Sequence, residues 1–81
     1  MEINYKLNQE VCVEIEHPLL PDYSQFVNCR IIDLLEVCFK DESTYLAVNL
    51  EPLEPLEDWV EHEDFIDVNI NRLIEPIVYN K

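Results

Sequence analysis

The chain has 81 residues, of which 18 are Asp or Glu and only 5 are Lys or Arg, so its formal net charge is −13. This length leaves room for one domain, residues 1–81, with a modest core and no deep substrate cleft. The excess of carboxylates argues against nucleic acid and anionic membranes as direct ligands, because those surfaces repel negative charge. Hydrophobic residues make up 48% of the sequence, too many for a disordered acidic tail.

The first predicted element is a strand over residues 10–16. Val11, Val13 and Ile15 alternate there with more polar positions, a period of two that is typical of a half-buried strand. Residues 17–24 contain two prolines and are predicted to form a long loop.

Residues 25–40 are rich in Phe, Val and Ile and favour a second strand. Because strands usually have about 3–10 residues, we expect a bend or bulge near Asp33 to Glu36. A helix over residues 30–37 is the alternative, since its apolar spacing also fits a helical face. A polar turn over residues 40–43 leads to a third alternating strand, residues 45–50, which predicts a hairpin.

The stretch 51–57, EPLEPLE, predicts an extended, polyproline-like connector that exposes its glutamates. A short strand over residues 58–62 and one helical turn over residues 63–67 are expected next. The last predicted strand covers residues 73–78, and Pro76 confines it to a sheet edge or to a strand end.

The segments EVCVEIE, FVNCRIIDLLEVCFK, TYLAVNL, DWV and NRLIEPI resemble, in order and spacing, the SH3-like and Tudor-like small barrels. The resemblance implies a mainly β fold, a small five-stranded SH3-like barrel with one short helical turn; a small α+β domain is the alternative. The chain departs from such barrels in having no glycine, so Asn, Asp, Pro and Ser must form its turns.

Residues 41–71 hold ten acids and no Lys or Arg, and their spacing along extended segments approaches that of nucleic-acid phosphates. In this property the chain resembles the small acidic DNA-mimic inhibitors of phages, anti-CRISPR proteins among them. The resemblance implies a non-enzymatic, phage-encoded inhibitor or regulator that acts in the host cytoplasm on a basic nucleic-acid-binding protein. A solvated face that only confers solubility is the alternative. The expected contact residues are Glu51, Glu54, Glu57, Asp58, Trp59, Glu61, Glu63, Asp64 and Asp67.

Two other interpretations of the sequence remain open. Tyr23, Tyr45 and Trp59 occupy positions where Tudor-like barrels form an aromatic cage for a methylated basic side chain, although a place in the core is the more usual one for aromatic residues such as Trp59 and Phe26 in so small a domain. In the second interpretation, the chain is a small subunit of a larger assembly, and its central hairpin is buried in that assembly. The oligomeric state is left open.

No metal, cofactor or catalytic site is predicted. Cys12, Cys29 and Cys38 form no CxxC pair, and with His17 and His62 they lack the spacing of a zinc site, so reduced, buried thiols are expected. The acids do not follow the DxDxDG calcium pattern. No serine or cysteine adjoins a base, and phosphate-cradling loops need glycine. The sequence has no signal peptide and no apolar run of about 18 residues, so a cytoplasmic protein is expected.

Overall fold

A computed structural model describes residues 5–38, 40 and 44–78, without the side chains of residues 37 and 38. Within these residues, five antiparallel strands form one sheet, and the predicted mainly β class is confirmed. The strands are β1 (Glu10–Glu16), β2 (Ser24–Cys38), β3 (Thr44–Pro52), β4 (Val68–Asn69) and β5 (Leu73–Ile74). Two 3₁₀ turns, His62–Phe65 and Ile70–Arg72, precede and follow β4.

The strand order β4-β3-β2-β1-β5 places β4 and β5 at opposite edges of the sheet. Only three residues, Ile70–Arg72, separate these two strands along the chain. The edges of a flat five-stranded sheet lie about 19 Å apart, whereas a 3₁₀ turn rises only about 2 Å per residue. The sheet is therefore strongly curled. Among the described residues no ladder joins β4 to β5, and the closed barrel stays a prediction.

The central hairpin of β2 and β3 is present, and it carries an irregularity close to the predicted one. Ile31 pairs with Leu50 and Asp33 pairs with Asn49, which makes Ile32 an extra residue on β2. The expected bend at residues 33–36 therefore begins slightly earlier, as a bulge. The helical alternative for residues 30–37 is wrong, because the whole stretch pairs with β3 or forms the bulge.

The core lies between the inner face of the curled sheet and the segment that connects β3 to β4. Alternate residues of β1 and β2 point inward, as the period of two predicts, and Phe65 of the first 3₁₀ turn enters from the connecting segment. Phe26 lies on the outer face and is 42% exposed, so its assignment as a core residue is wrong. The buried cluster contains Val11, Val13, Ile15, Val27, Cys29, Ile31, Val48, Leu50, Phe65, Val68 and Leu73.

Three predicted elements differ from those observed. Residues 58–62 form no strand, because the chain turns at Asp58 and Trp59 and the Val60 N–H donates to Glu57 O at 3.0 Å. The helical turn expected at residues 63–67 is a 3₁₀ turn one residue earlier. The last strand ends at Ile74, two residues before Pro76. The predicted turn at residues 40–43 lies mostly outside the described residues.

Candidate partner-binding surface

The first half of the acidic segment, which we define as residues 51–67, is fixed along the edge of β2 by the side chain of one residue of that strand and the backbone of another. Gln25 and Asn28 carry the contacts, and together they extend the sheet past the end of β3 without regular pairing. The connector is therefore an ordered part of the fold. Its hydrogen bonds are Gln25 Nε2 to Pro55 O (2.9 Å), Glu57 N to Gln25 Oε1 (2.9 Å), Leu53 N to Asn28 O (2.9 Å) and Asn28 N to Glu54 Oε1 (3.1 Å).

The second half of the segment is fixed by aromatic contacts. Trp59 packs against the core and against two rings of the β1–β2 loop, with its centroid 5.0 Å from that of His17 and 5.8 Å from that of Tyr23. The centroids of His17 and Tyr23 lie 5.9 Å apart in an edge-to-face arrangement. These distances are typical of rings in direct contact. The cluster thus attaches the acidic segment to the first loop.

His17 also organises its own loop. Its Nδ1 accepts the backbone N–H groups of Leu19 and Leu20, at 3.0 and 3.1 Å. An imidazole nitrogen that accepts hydrogen bonds carries no proton, so Nδ1 is deprotonated in this arrangement. The loop is closed further by His17 N donating to Tyr23 O at 2.8 Å. From sequence, His17 is considered only as a metal ligand, and its neighbours carry no local signal that it closes a loop.

The structure brings two of the three predicted cage residues together. Tyr23 and Trp59 are neighbours, but the third ring of their cluster is His17, and Tyr45 lies in the distal part of the hairpin, paired with Val37. The three rings contact one another and leave no gap between them for a cation. A cage built from Tyr23, Tyr45 and Trp59 is therefore wrong.

Four of the nine predicted contact residues are engaged within the fold. Glu51 forms an ion pair with Arg30 at 2.6 Å, and Glu54 is half-buried and accepts from the Asn28 N–H. Asp64 is half-buried and accepts the N–H of Glu61 at 2.8 Å, which caps the first 3₁₀ turn, and Trp59 belongs to the aromatic cluster.

The other five residues present exposed carboxylates. The Glu61 carboxylate accepts the backbone N–H of Asp64, which completes a capping box with the bond from Glu61 N–H to the Asp64 side chain. Among the residues that the structure describes, the other four carboxylates have no ion-pair or hydrogen-bond partner. The backbone beside them is held in place, since Asp67 has a left-handed φ of 52° and its N–H donates to Asn49 Oδ1 at 2.9 Å. These four free carboxylates belong to Glu57, Asp58, Glu63 and Asp67.

The acidic surface continues onto β1, which sequence reasoning did not include. Glu14, Glu16 and Asp64 line an open hollow of about 430 Å³ together with Ile15 and Arg72. Arg72 Nη2 donates to the backbone oxygen of Glu14 at 3.1 Å, so it holds the second 3₁₀ turn against β1. The alternation of β1 places Glu14 and Glu16 on its exposed face, but only the three-dimensional fold brings them to Asp64.

The two cysteines with described side chains are free and fully buried. Burial, with smaller contributions from Cys12 and Glu54, raises the pKa of Cys29 to about 12. Burial and the nearby Glu54 carboxylate also raise the pKa of Cys12. Both thiols are therefore protonated at neutral pH, and they pack as small apolar side chains do. The described residues contain no group of three or more His, Cys, Asp or Glu side chains that could hold a metal ion.

Comparison with known proteins gives no relative for this chain. No family model matches it, and no curated protein and no solved structure shows significant similarity. Among the described residues, no helix has the length and apolar character needed to cross a membrane.

Proposed function

We propose that this protein is a non-enzymatic inhibitor or regulator that binds the basic nucleic-acid-binding surface of a partner protein in place of nucleic acid. The observation that carries the proposal is the row of exposed carboxylates at Glu57, Asp58, Glu61, Glu63 and Asp67, on a segment that contains no Lys or Arg. A channel that binds a polyanion gains much of the same electrostatic free energy from such a surface, because phosphate contacts dominate its affinity.

The rigidity of the acidic segment favours binding over mere solubility. Gln25 and Asn28 fix its first half, and Trp59 and Phe65 fix its second half from the core side. A preformed array of charges loses little conformational entropy when it binds, whereas a flexible acidic tail loses much more. Leu53 and Leu56 are 46% and 38% exposed beside these acids and can supply apolar contacts in the complex.

The experiment is a competition. Partners are captured from a cell lysate on the immobilised protein, and each captured nucleic-acid-binding protein is then titrated in the presence of labelled duplex DNA or RNA. We expect the protein to displace the nucleic acid and excess nucleic acid to reverse the displacement. A ternary complex in which the nucleic acid stays fully bound would overturn the proposal, as would direct binding of nucleic acid by the isolated protein at physiological salt.

Two charge variants test whether the competition depends on the acidic segment or only on net charge. The first replaces Glu57, Asp58, Glu61 and Glu63 by Gln or Asn; Glu54 is retained because Asn28 N–H needs its oxygen. The second makes the same type of change at four exposed acids outside the segment, so both variants lose the same net charge. We expect the first variant to displace nucleic acid much more weakly than the second. The control positions are Glu10, Asp22, Glu36 and Glu75.

A second candidate function is recognition of a basic peptide at the aromatic cluster. Tyr23 favours it, because its ring is 47% exposed at the edge of the cluster and adjoins Asp22, so a cationic side chain could stack on it from outside. Titration with methylated and unmethylated basic peptides, followed by Trp59 fluorescence, tests this function. Tyr23→Ala should abolish the binding, and the loss of four acidic side chains should not.

A further inference from the structure

Strand β2 is longer than the strands beside it, and over its second half one of its edges has no neighbour within the part of the chain that the structure describes. β1 pairs with β2 from Ser24 to Arg30, and Ile31 still exchanges hydrogen bonds with Asn8 and Gln9. From Asp33 to Cys38, β2 pairs with β3 alone among the described residues. β4 reaches only Ala47 and Val48, so the end of the hairpin is a two-stranded ribbon.

The shape of the molecule agrees with a projecting ribbon. The radius of gyration is 13.5 Å, against about 12 Å for a compact domain of this length. The principal extents of 43 × 30 × 18 Å show the elongation directly. A two-stranded ribbon is marginally stable on its own in water, and a third strand stabilises it.

The bulge determines which backbone groups face the open edge. Ile31 directs its N–H and C=O toward the β1 side, where they bond to Gln9 O and Asn8 N. The extra residue Ile32 shifts the alternation by one, so the main-chain groups of Leu34, Glu36 and Cys38 face that side further along. Consistent with this, the Leu34 N–H donates to the side chain of Asp33 at 3.1 Å.

The side chains along this edge combine apolar surface with negative charge. Ile32 and Leu34 are 49% and 39% exposed, and Leu34 also lines a hollow of about 240 Å³ with Leu46 and Ala47. Asp33 and Glu36 are exposed on the same stretch. An open, apolar strand edge pairs readily with another strand, and inward or flanking charges select which strands are accepted.

We propose that the edge of β2 from Asp33 to Cys38 accepts a β-strand from a partner protein in which basic residues alternate with apolar ones. Charge selects this occupant: a second copy of the chain would bring another net charge of −13 to this edge, whereas a strand with alternating basic residues places positive charge beside Asp33 on one face of the sheet or beside Glu36 on the other. The inference rests on the proposed function only for the basic character of the partner.

The edge is short, and its length limits the affinity that we expect for a partner strand. Six residues of strand span about 20 Å and offer a few backbone hydrogen bonds, each of which contributes modestly in water. An interface of this size is weak by itself. The partner's strand is therefore held jointly by pairing with β2 and by attraction to the acidic protein.

The test uses a synthetic eight-residue peptide of alternating Lys and Val with blocked ends and a fluorescent label. Its control is the same peptide N-methylated at two adjacent central residues, which prevents pairing along either peptide edge without changing the charge. Fluorescence polarisation should give an affinity about tenfold higher for the unmethylated peptide. Amide hydrogen exchange at Leu34 and Glu36 should slow only when that peptide is bound. Equal affinities would overturn the proposal.

Two variants of the protein test the same edge by changing β2 instead of the peptide. Glu36→Pro removes an edge-facing N–H, and Glu36→Ala loses the same carboxylate but keeps that donor. We expect peptide binding to Glu36→Pro to be about tenfold weaker than to Glu36→Ala. This ratio should persist when Glu57, Asp58, Glu61 and Glu63 are neutralised, so it is independent of the competition with nucleic acid. A stable dimer in sedimentation that Glu36→Pro dissociates would show that a second copy is the occupant.

Discussion

Asn28 and Ile77 exchange two hydrogen bonds, Asn28 Nδ2 to Ile77 O at 2.8 Å and Ile77 N to Asn28 Oδ1 at 2.9 Å. The side-chain amide of Asn28 thus pairs with the chain after β5 as a peptide group would. Its backbone N–H and C=O meanwhile bond to Glu54 and Leu53. One residue in β2 therefore connects the C-terminal segment to the acidic segment. Cys12, the residue of β1 that pairs with Asn28, is fully buried although its side chain points away from the core.

Asn28→Ala should detach residues 75–78 from the sheet and reduce the free energy of unfolding by about 1–2 kcal/mol, because two amide hydrogen bonds are lost. Exchange of the Ile77 amide should accelerate, and urea denaturation measures the stability. Asn71→Ala is the control, since Asn71 is exposed, and its effect should stay within about 0.5 kcal/mol. Unchanged Ile77 exchange in Asn28→Ala would contradict this role.

His17→Phe should loosen the β1–β2 loop while it keeps a ring against Trp59. The change removes the acceptor for two N–H groups, and we expect the amides of Leu19 and Leu20 to exchange faster, with a loss of about 1 kcal/mol in stability. His17→Asn is the matched variant, because an Asn side chain can accept from the backbone two or three residues on. Protection of both amides should then be retained. Faster exchange in His17→Asn than in His17→Phe would show that the ring, and not Nδ1, closes the loop.

The sequence predicts the regular half of this fold and leaves the irregular half undetermined. β1 is predicted at its observed bounds because its inward face carries apolar residues at every second position, although Cys12 on the other face is buried as well. β4 has only two residues, too few to show a period, and exists because Val68 fits beside Val48 in the sheet. The connector was expected to expose its glutamates, but Glu54 turns toward Asn28, which lies 26 positions away in sequence. Contacts over such separations leave no local pattern.

Trp59 contributes a ring to the cluster, but its Nε1 is buried and finds no hydrogen-bond partner in residues 5–38, 40 and 44–78. Trp59→Phe keeps an aromatic ring and removes this unpaired donor, so we expect a change of less than about 1 kcal/mol in the free energy of unfolding. Trp59→Ala should cost about 3 kcal/mol, because it opens a cavity beside His17 and Tyr23. Chemical denaturation followed by circular dichroism compares them. A Phe variant as unstable as the Ala variant would show that the indole N–H is bonded.

The buried thiols predict a loss of stability at alkaline pH. Burial raises the pKa of Cys29 from an ordinary value of 9.0 to about 12, so the folded state keeps a proton that the unfolded chain releases above pH 9. The free energy of unfolding should therefore be independent of this thiol below pH 9 and fall between about pH 9 and 12, by at most about 1.4 kcal/mol per pH unit.

Cys29→Ala should remove that part of the pH dependence, and the comparison is made by urea denaturation at several pH values. In a Cys38→Ser background, iodoacetamide should not modify Cys12 or Cys29 at pH 7.5 until the protein is unfolded, since both residues are 0% exposed. Rapid modification of the folded protein would contradict the burial of these thiols.

The last prediction concerns the rate at which a captured nucleic-acid-binding partner associates with this protein. If the free carboxylates of residues 57–67 attract the partner, the association rate should fall about tenfold or more between low and physiological salt, because charges more than about 8 Å apart are then screened. Neutralising Glu57, Asp58, Glu61 and Glu63 should slow association and flatten its salt dependence, while the dissociation rate changes less. The variant at Glu10, Asp22, Glu36 and Glu75 has the same net charge and should stay closer to wild type in stopped-flow measurements. If both variants slow association equally, overall charge and not the acidic segment attracts the partner, and an association rate insensitive to salt would rule out electrostatic mimicry altogether.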